Sequence, residues 1–193
     1  MSRADQQTPD VYRRASDLYS GGRFEEALEC YKALTDSGAV GSRLRVGWMY
    51  EHGLGTAADP REALRWYESA VDAQPAEAFF YIGKFHLAQC RAGEAQRFFE
   101  QAASLGFSPA LFRLGRMHQE GTGVPVDAKR AVEYFETGAK LGNLFAEREL
   151  CRMMIRGEQG LAQIPKGICQ LARVAWKGFM LAMTDENDHR LRT

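Results

Sequence analysis

Val46-Gly47-Trp48-Met49-Tyr50-Glu51-His52-Gly53-Leu54-Gly55 is the stretch on which the fold turns, because its opening returns twice downstream. Ile82-Gly83-Lys84-Phe85-His86 and Leu114-Gly115-Arg116-Met117-His118 repeat an apolar residue, a glycine, two further residues and a ring, at spacings of 36 and 32 residues. A period in the thirties is that of a helical hairpin too small to bury its own apolar face, so successive copies must stack.

Alignment on the glycines brings a second set into register. Ala63-Leu64-Arg65-Trp66-Tyr67, Ala95-Gln96-Arg97-Phe98-Phe99 and Ala131-Val132-Glu133-Tyr134-Phe135 each carry an aromatic pair, followed by Ala70, Ala102 and Gly138. Each unit is therefore read as a helix A with the glycine and a helix B with the rings, small residues marking where the two approach closely. Asp59-Pro60-Arg61-Glu62 has the order of an N-cap acid, a proline and an early glutamate at the start of a helix B. Asp127 is expected to cap another helix B, and Ser108-Pro109 to cap a helix A. Gly38, Gly106 and Gly142 follow helix B tracts, where a left-handed turn favours glycine.

Extending the register outward adds a unit at each side. Upstream, Ala15, Leu18, Tyr19, Gly22, Phe24, Ala27, Cys30 and Tyr31 obey the same logic. Downstream, Cys151 stands at the glycine position, Gly157 matches Gly121 and Gly178 matches Gly142. The expected layout is a disordered segment 1–8, a single helical-repeat domain 9–183 and a mobile polar tail 184–193. Its units are about 9–38, 39–74, 75–106, 107–142 and 143–183, making five hairpins and ten helices. The last helix, from about Pro165 to about Met183, is expected to serve as the C-terminal cap that an array needs.

Two G-x-G loops, Gly53-Leu54-Gly55 and Gly121-Thr122-Gly123, close helix A and precede a turn. With the strings Leu44 to Gly55 and Leu114 to Val124, and with Ala63, Trp66, Tyr67, Ala70, Asp127, Ala131, Tyr134 and Ala139, they make the chain resemble Sel1-like repeat proteins, relatives of the tetratricopeptide (TPR) family. The resemblance covers about four fifths of the chain. The unit at Gly83 lacks the G-x-G and is shorter by four residues, closer to a tetratricopeptide repeat, as is the first unit around Tyr19-Ser20-Gly21-Gly22-Arg23-Phe24. The final unit departs most, with Cys151 for glycine and Gln170-Leu171 for the aromatic pair. The resemblance implies an all-α, right-handed α-α superhelix (solenoid). It also implies an adaptor role, as in bacterial signalling, envelope or exopolysaccharide regulation, or host interaction.

Composition agrees with a soluble repeat protein. The 193 residues are 45% hydrophobic and 26% charged, and 25 basic residues balance 25 acidic ones, so overall charge directs the chain neither to nucleic acid nor to an anionic membrane. No stretch approaches the roughly 18 apolar residues of a membrane span, and Met1 to Asp10 lacks an apolar signal core, from which a cytoplasmic location is expected. Cys30, Cys90, Cys151 and Cys169 form no CxxC pair and occupy four different repeat positions, so reduced thiols are expected, Cys169 on an exposed face.

Helix A lines the concave face in tetratricopeptide-type arrays, and there the candidate site falls. Three residues before each glycine position lie Tyr12, Leu44, Phe80, Phe112 and Arg148. One residue after it lie Ser16, Trp48, Lys84, Arg116 and Arg152. Four apart, each pair shares a helix face, predicting an exposed apolar column beside a column that turns basic toward Arg156. Protein- or peptide-binding residues are therefore Tyr12, Trp48, Phe80, Lys84, Phe112, Arg116, Arg148 and Arg152, the partner being another protein or peptide with apolar anchors and an acidic group. No cofactor, metal or catalytic residue is expected.

Two other readings stand beside this one. Phe179, Met180 and Met183 on the last helix form a candidate edge interface, through which the protein would be a self-assembly module, a monomer or a weak homodimer. A hydrolase would need a cleft around His52, His86 or His118. The repeat argues against it, since His86 and His118 align with Tyr50 as flat rings in a helix-helix slot, on units about 8 to 10 Å apart. The G-x-G loops sit at the wrong end of a helix to cradle phosphate, which is held at helix N-termini.

Overall fold

The computed structural model describes residues 3–36, 39, 41–157 and 163–184, with side chains for 10–36, 39, 41–157 and 163–178. The described residues are all-α. They form five consecutive hairpins: α1 (Arg3–Ser20) with α2 (Phe24–Asp36), α3 (Ser42–His52) with α4 (Pro60–Ser69), α5 (Pro75–Ala88) with α6 (Ala92–Ser104), α7 (Ser108–Glu120) with α8 (Ala128–Lys140), and α9 (Leu144–Ile155) with α10 (Ile164–Thr184). Helix α1 begins at Arg3, inside the segment 1–8 expected to be disordered. Residues 185–193 of the expected tail and the helix-ending Gly38 lie outside the described residues. The described residues gather into two compact units, one ending at Phe85 and one beginning at His86.

Close approach of helix A to helix B is the core device in both units. A methyl group on Gly47 would meet the Tyr67 ring at 2.7 Å, and one on Gly115 would meet the Phe135 ring at 2.5 Å. Tyr67, Phe99 and Phe135, the second rings of the aromatic pairs, are fully buried, as are Ala63, Ala95 and Ala131 one turn earlier. Each such ring contributes roughly 1.5 to 3 kcal/mol through burial. The first rings are half-buried and turn toward helix A: Phe98 stacks on His86 at 5.2 Å, and Tyr134 on His118 at 5.6 Å. The histidines thus fill the slots that their alignment with Tyr50 predicts.

The G-x-G loops end α3 and α7. Gly53 and Gly121 are left-handed C-caps whose N–H groups donate to the carbonyls of Met49 and Met117. Gly55 and Gly123 also have positive φ, and each lies against the start of the preceding helix B. A Cβ on Gly55 would stand 2.4 Å from the Phe24 carbonyl oxygen, and one on Gly123 would stand 2.3 Å from the Ala92 Cβ. The second glycine therefore spaces consecutive hairpins, a role beyond letting the chain reverse.

Capping follows the sequence at helix B. The Asp59 carboxylate accepts from the Arg61 and Glu62 amides at 2.9 and 3.1 Å, and Asp127 accepts from the Arg130 amide at 3.0 Å. The cap expected at Ser108 is not made: Phe107 is the N-cap of α7, and Ser108 already lies in the helix with Pro109 in its first turn. Asn143, which the sequence reading passed over, caps α9 through the Ala146 amide at 3.0 Å. Gly106 and Gly142 take positive φ just after α6 and α8.

Candidate functional site

In the first unit, three successive A helices meet at a groove. Tyr12 of α1, Leu44, Arg45 and Trp48 of α3, and Glu77 and Tyr81 of α5, together with Gly41 and Gln74, line a cavity of about 200 Å³. The rings are held from behind. Tyr12 packs edge-on against the buried Tyr31 at 5.7 Å, Trp48 stacks on His52 at 4.2 Å, and Tyr81 stacks on the buried Tyr67 at 5.5 Å. The Arg45 guanidinium lies 5.3 Å from the Tyr19 ring centre and 5.9 Å from that of Tyr31, so aromatic faces fix its position. Lys84 lies over Phe80 and Tyr81 at 5.8 and 5.6 Å.

The expected apolar column is exposed at only one ring. Tyr12 is 37% exposed, whereas Leu44, Phe80 and Phe112 are at 7, 6 and 7%. Phe80 and Phe112 are thus core residues, and the prediction of a presented ring at those positions is corrected. Phe112 packs on Phe135 of its own hairpin and on Phe145 of the next, each at 5.9 Å. At Phe112, stacking of the following helix A covers this face.

The basic residues of the second unit carry ion pairs, several of them around a residue the sequence reading did not single out. Glu149 of α9 is 4% exposed. It accepts from Arg152 Nη1 at 2.7 Å, with Arg148 Nε and Arg156 Nη2 each 4.0 Å from its carboxylate. On α7, Arg116 pairs with Glu120. Arg113 is half-buried; burial first, and then the like charge of Arg116, lower the pKa of its guanidinium. Glu149 was legible as an exception. Two residues before each glycine position stand Arg13, Arg45, Tyr81, Arg113 and then Glu149, the one acid in that column.

The remaining candidates separate clearly. Phe179, Met180 and Met183 lie outside the described side chains; on the same helix, Ile168 and Trp176 are 54% and 65% exposed. The His52 ring Nδ1 is bonded to the Trp48 carbonyl at 2.9 Å. His118 is buried, and among the described residues neither of its ring nitrogens has a hydrogen-bond partner; its ring packs on Tyr134. Cys151 is buried, with burial raising its thiol pKa, while Cys90 and Cys169 are exposed. Among the described residues, no group of three His, Cys, Asp or Glu side chains could hold a metal ion, and no helix is long and apolar enough to cross a membrane.

Comparison with known proteins agrees with this geometry. The Sel1 repeat family profile matches residues 42–75, 92–107 and 108–143. The chain is similar to an exopolysaccharide production negative regulator of Rhizobium meliloti, 25% identical over 209 residues that cover 91% of this chain and 76% of that protein. It is also similar to chitin synthase regulatory factor 3 of Schizosaccharomyces pombe, 28% identical over 149 residues, covering 74% of this chain but 16% of the yeast protein. Among solved structures, a Sel1 repeat protein from Oxalobacter formigenes superposes with a TM-score of 0.69 at 25% identity, over 86% of this chain and 72% of that one. With its A and B helices, G-x-G caps and close-approach glycines in register, the chain is a Sel1 repeat protein with a TPR-like helical-repeat fold.

Proposed function

We propose that this protein is a regulatory scaffold in the cytoplasm that captures a segment of a partner protein on its A helices. The observation that carries the reading is the groove between Tyr12, Trp48 and Tyr81, built from three successive hairpins, with buried rings behind Tyr12 and Tyr81. Its volume, about 200 Å³, falls below the roughly 300 to 1,000 Å³ of small-molecule sites. It suits one apolar side chain of an extended or helical segment, with Arg45 and Glu77 at hand for the segment's polar groups. The names of the relatives, regulators of exopolysaccharide production and of chitin synthase, support a regulatory use of such capture.

The test is affinity capture from the native cell with quantitative mass spectrometry. Tyr12→Glu places a charge at the groove's exposed ring, and Arg65→Glu does so on an exposed face of α4 as control. A partner lost with Tyr12→Glu and kept with Arg65→Glu supports the groove; a partner kept by both refutes it. Recovery of the chain with no partner but itself would instead favour self-assembly, for which the exposed Ile168 and Trp176 of α10 speak.

A further inference from the structure

The groove of the first unit holds two charged side chains, Arg45 and Glu77. Among the described residues neither side chain makes an ion pair or a hydrogen bond. Both are half-buried, and the nitrogens of Arg45 and the carboxylate oxygens of Glu77 stay open to solvent, so a ligand in the groove can reach them.

Their settings differ in sign. Glu77 stands in the first turn of α5, where the N-terminal end of the helix offsets a negative charge. Arg45 stands in the first turn of α3, where the same end of a helix adds to its positive charge and no acid shares the turn. The rings of Tyr19 and Tyr31, at 5.3 and 5.9 Å, hold the guanidinium in place, so it gives up little freedom on meeting an acceptor. A guanidinium that is fixed, reachable and short of an acceptor is complementary to a carboxylate, which takes two parallel hydrogen bonds from it.

The rings of the groove argue against a cationic ligand. Tyr81 is already engaged by Tyr67 at 5.5 Å and by the Lys84 ammonium at 5.6 Å, and Trp48 by His52 at 4.2 Å and Tyr19 at 5.9 Å. A further cation would also meet the charges of Arg45 and Lys84. What Tyr12, Trp48 and Tyr81 offer is an apolar wall.

We infer that the groove reads an apolar side chain with a carboxylate beside it: the partner segment seats a residue such as Leu or Phe among Tyr12, Trp48 and Tyr81 and pairs a neighbouring Asp or Glu with Arg45. This rests on the scaffold reading and gives its partner a chemistry.

The test selects on the full chain from a displayed library of short random peptides and measures the enriched peptides by fluorescence anisotropy. Enriched peptides should carry Asp or Glu beside an apolar residue and should be lost with Tyr12→Glu. An enriched peptide remade with Asn or Gln in place of its acid should bind at least about tenfold more weakly. Arg45→Gln, with its fold checked by circular dichroism, should weaken the acidic peptide by the same factor and cost the amide peptide nothing further, since the two changes remove one interaction. The amide peptide alters the ligand alone, so its result stands whether or not Arg45→Gln disturbs Tyr31. Glu77→Gln should leave the acidic peptide's affinity unchanged or raised. Groove peptides without an acid, equal binding of the amide peptide, or loss in Glu77→Gln with none in Arg45→Gln each overturns the inference and leaves the scaffold reading standing. No enriched peptide, or peptides indifferent to Tyr12→Glu, would remove the groove itself and the scaffold reading with it.

Discussion

Replacement of Gly115 by alanine sets helix propensity against packing with opposite signs. In a helix interior, alanine is favoured over glycine by about 1 kcal/mol. Yet the added methyl would stand 2.5, 2.7 and 2.9 Å from Cε1, Cδ1 and Cζ of Phe135, where carbon atoms settle at about 3.5 to 4.0 Å. The ring must therefore retreat by about 1 Å. It is fully buried in the cluster of Phe112, Ala131, Ala146, Leu150 and Met153. Overpacking of this kind costs about 1 to 3 kcal/mol, so Gly115→Ala should be neutral to about 2 kcal/mol destabilising once the propensity gain is subtracted. Gly93, in the first turn of α6, has nothing within 4 Å of its added Cβ; Gly93→Ala should be neutral or stabilising. Urea unfolding followed by circular dichroism compares the two. In a Phe135→Leu background the penalty at residue 115 should shrink, a coupling read by the double-mutant cycle. If Gly115→Ala were stabilising by the about 1 kcal/mol that helix propensity alone gives, the close-approach account of the repeat glycine would be refuted.

Two further outcomes follow from the backbone and the buried phenols. Cys90, in the turn two residues past α5, is exposed and has φ of 58°; Cys90→Gly should relieve left-handed strain of about 1 to 2 kcal/mol against glycine's entropy cost of about 0.5 to 1, raising the thermal midpoint slightly. A lowered midpoint would show that the turn is not strained. Burial first, and then the hydrogen bond to Glu51 at 2.6 Å, push the Tyr67 pKa far above its ordinary value, and burial raises Tyr31 as well. Unfolded phenols titrate near about 10, so stability should hold below that pH and fall as pH rises beyond it, with a shallower fall in Tyr67→Phe. An unchanged slope in that variant would contradict the assignment.

The core was legible because it recurs. Gly47 with Tyr67, and Gly115 with Phe135, are one steric solution written twice, and a period exposes what a single copy hides. Exposure was less legible. The register placed Phe112 on the face of helix A that meets the next hairpin, and such a face is covered to a degree that depends on stacking, which no single repeat encodes. Charge partners were hidden for a related reason: Glu149 stands where Arg45 and Arg113 stand in other units, and its role as a shared acceptor appears only when Arg148, Arg152 and Arg156 close around it. Ser108 and Asn143 show the limit at helix ends, where a shift of one residue decides which side chain caps.

The position three residues before the repeat glycine shows how a repeat can exchange a ring for a charge without losing its core. At Phe112 a ring occupies it and packs between hairpins. At Arg148 a charge occupies it, and the packing ring has moved one turn earlier, to Phe145, which keeps the contact with Phe112 at 5.9 Å and also supports the Arg148 guanidinium at 5.1 Å. One ring therefore serves both the stack and the charged surface. Phe145→Leu would keep much of the apolar volume while removing the aromatic face. The hairpin contact should weaken modestly, while Arg148 loses the platform that orients it. Urea unfolding should show a loss in Phe145→Leu that shrinks in an Arg148→Gln background, whereas an unchanged loss would mean that Phe145 acts through packing alone.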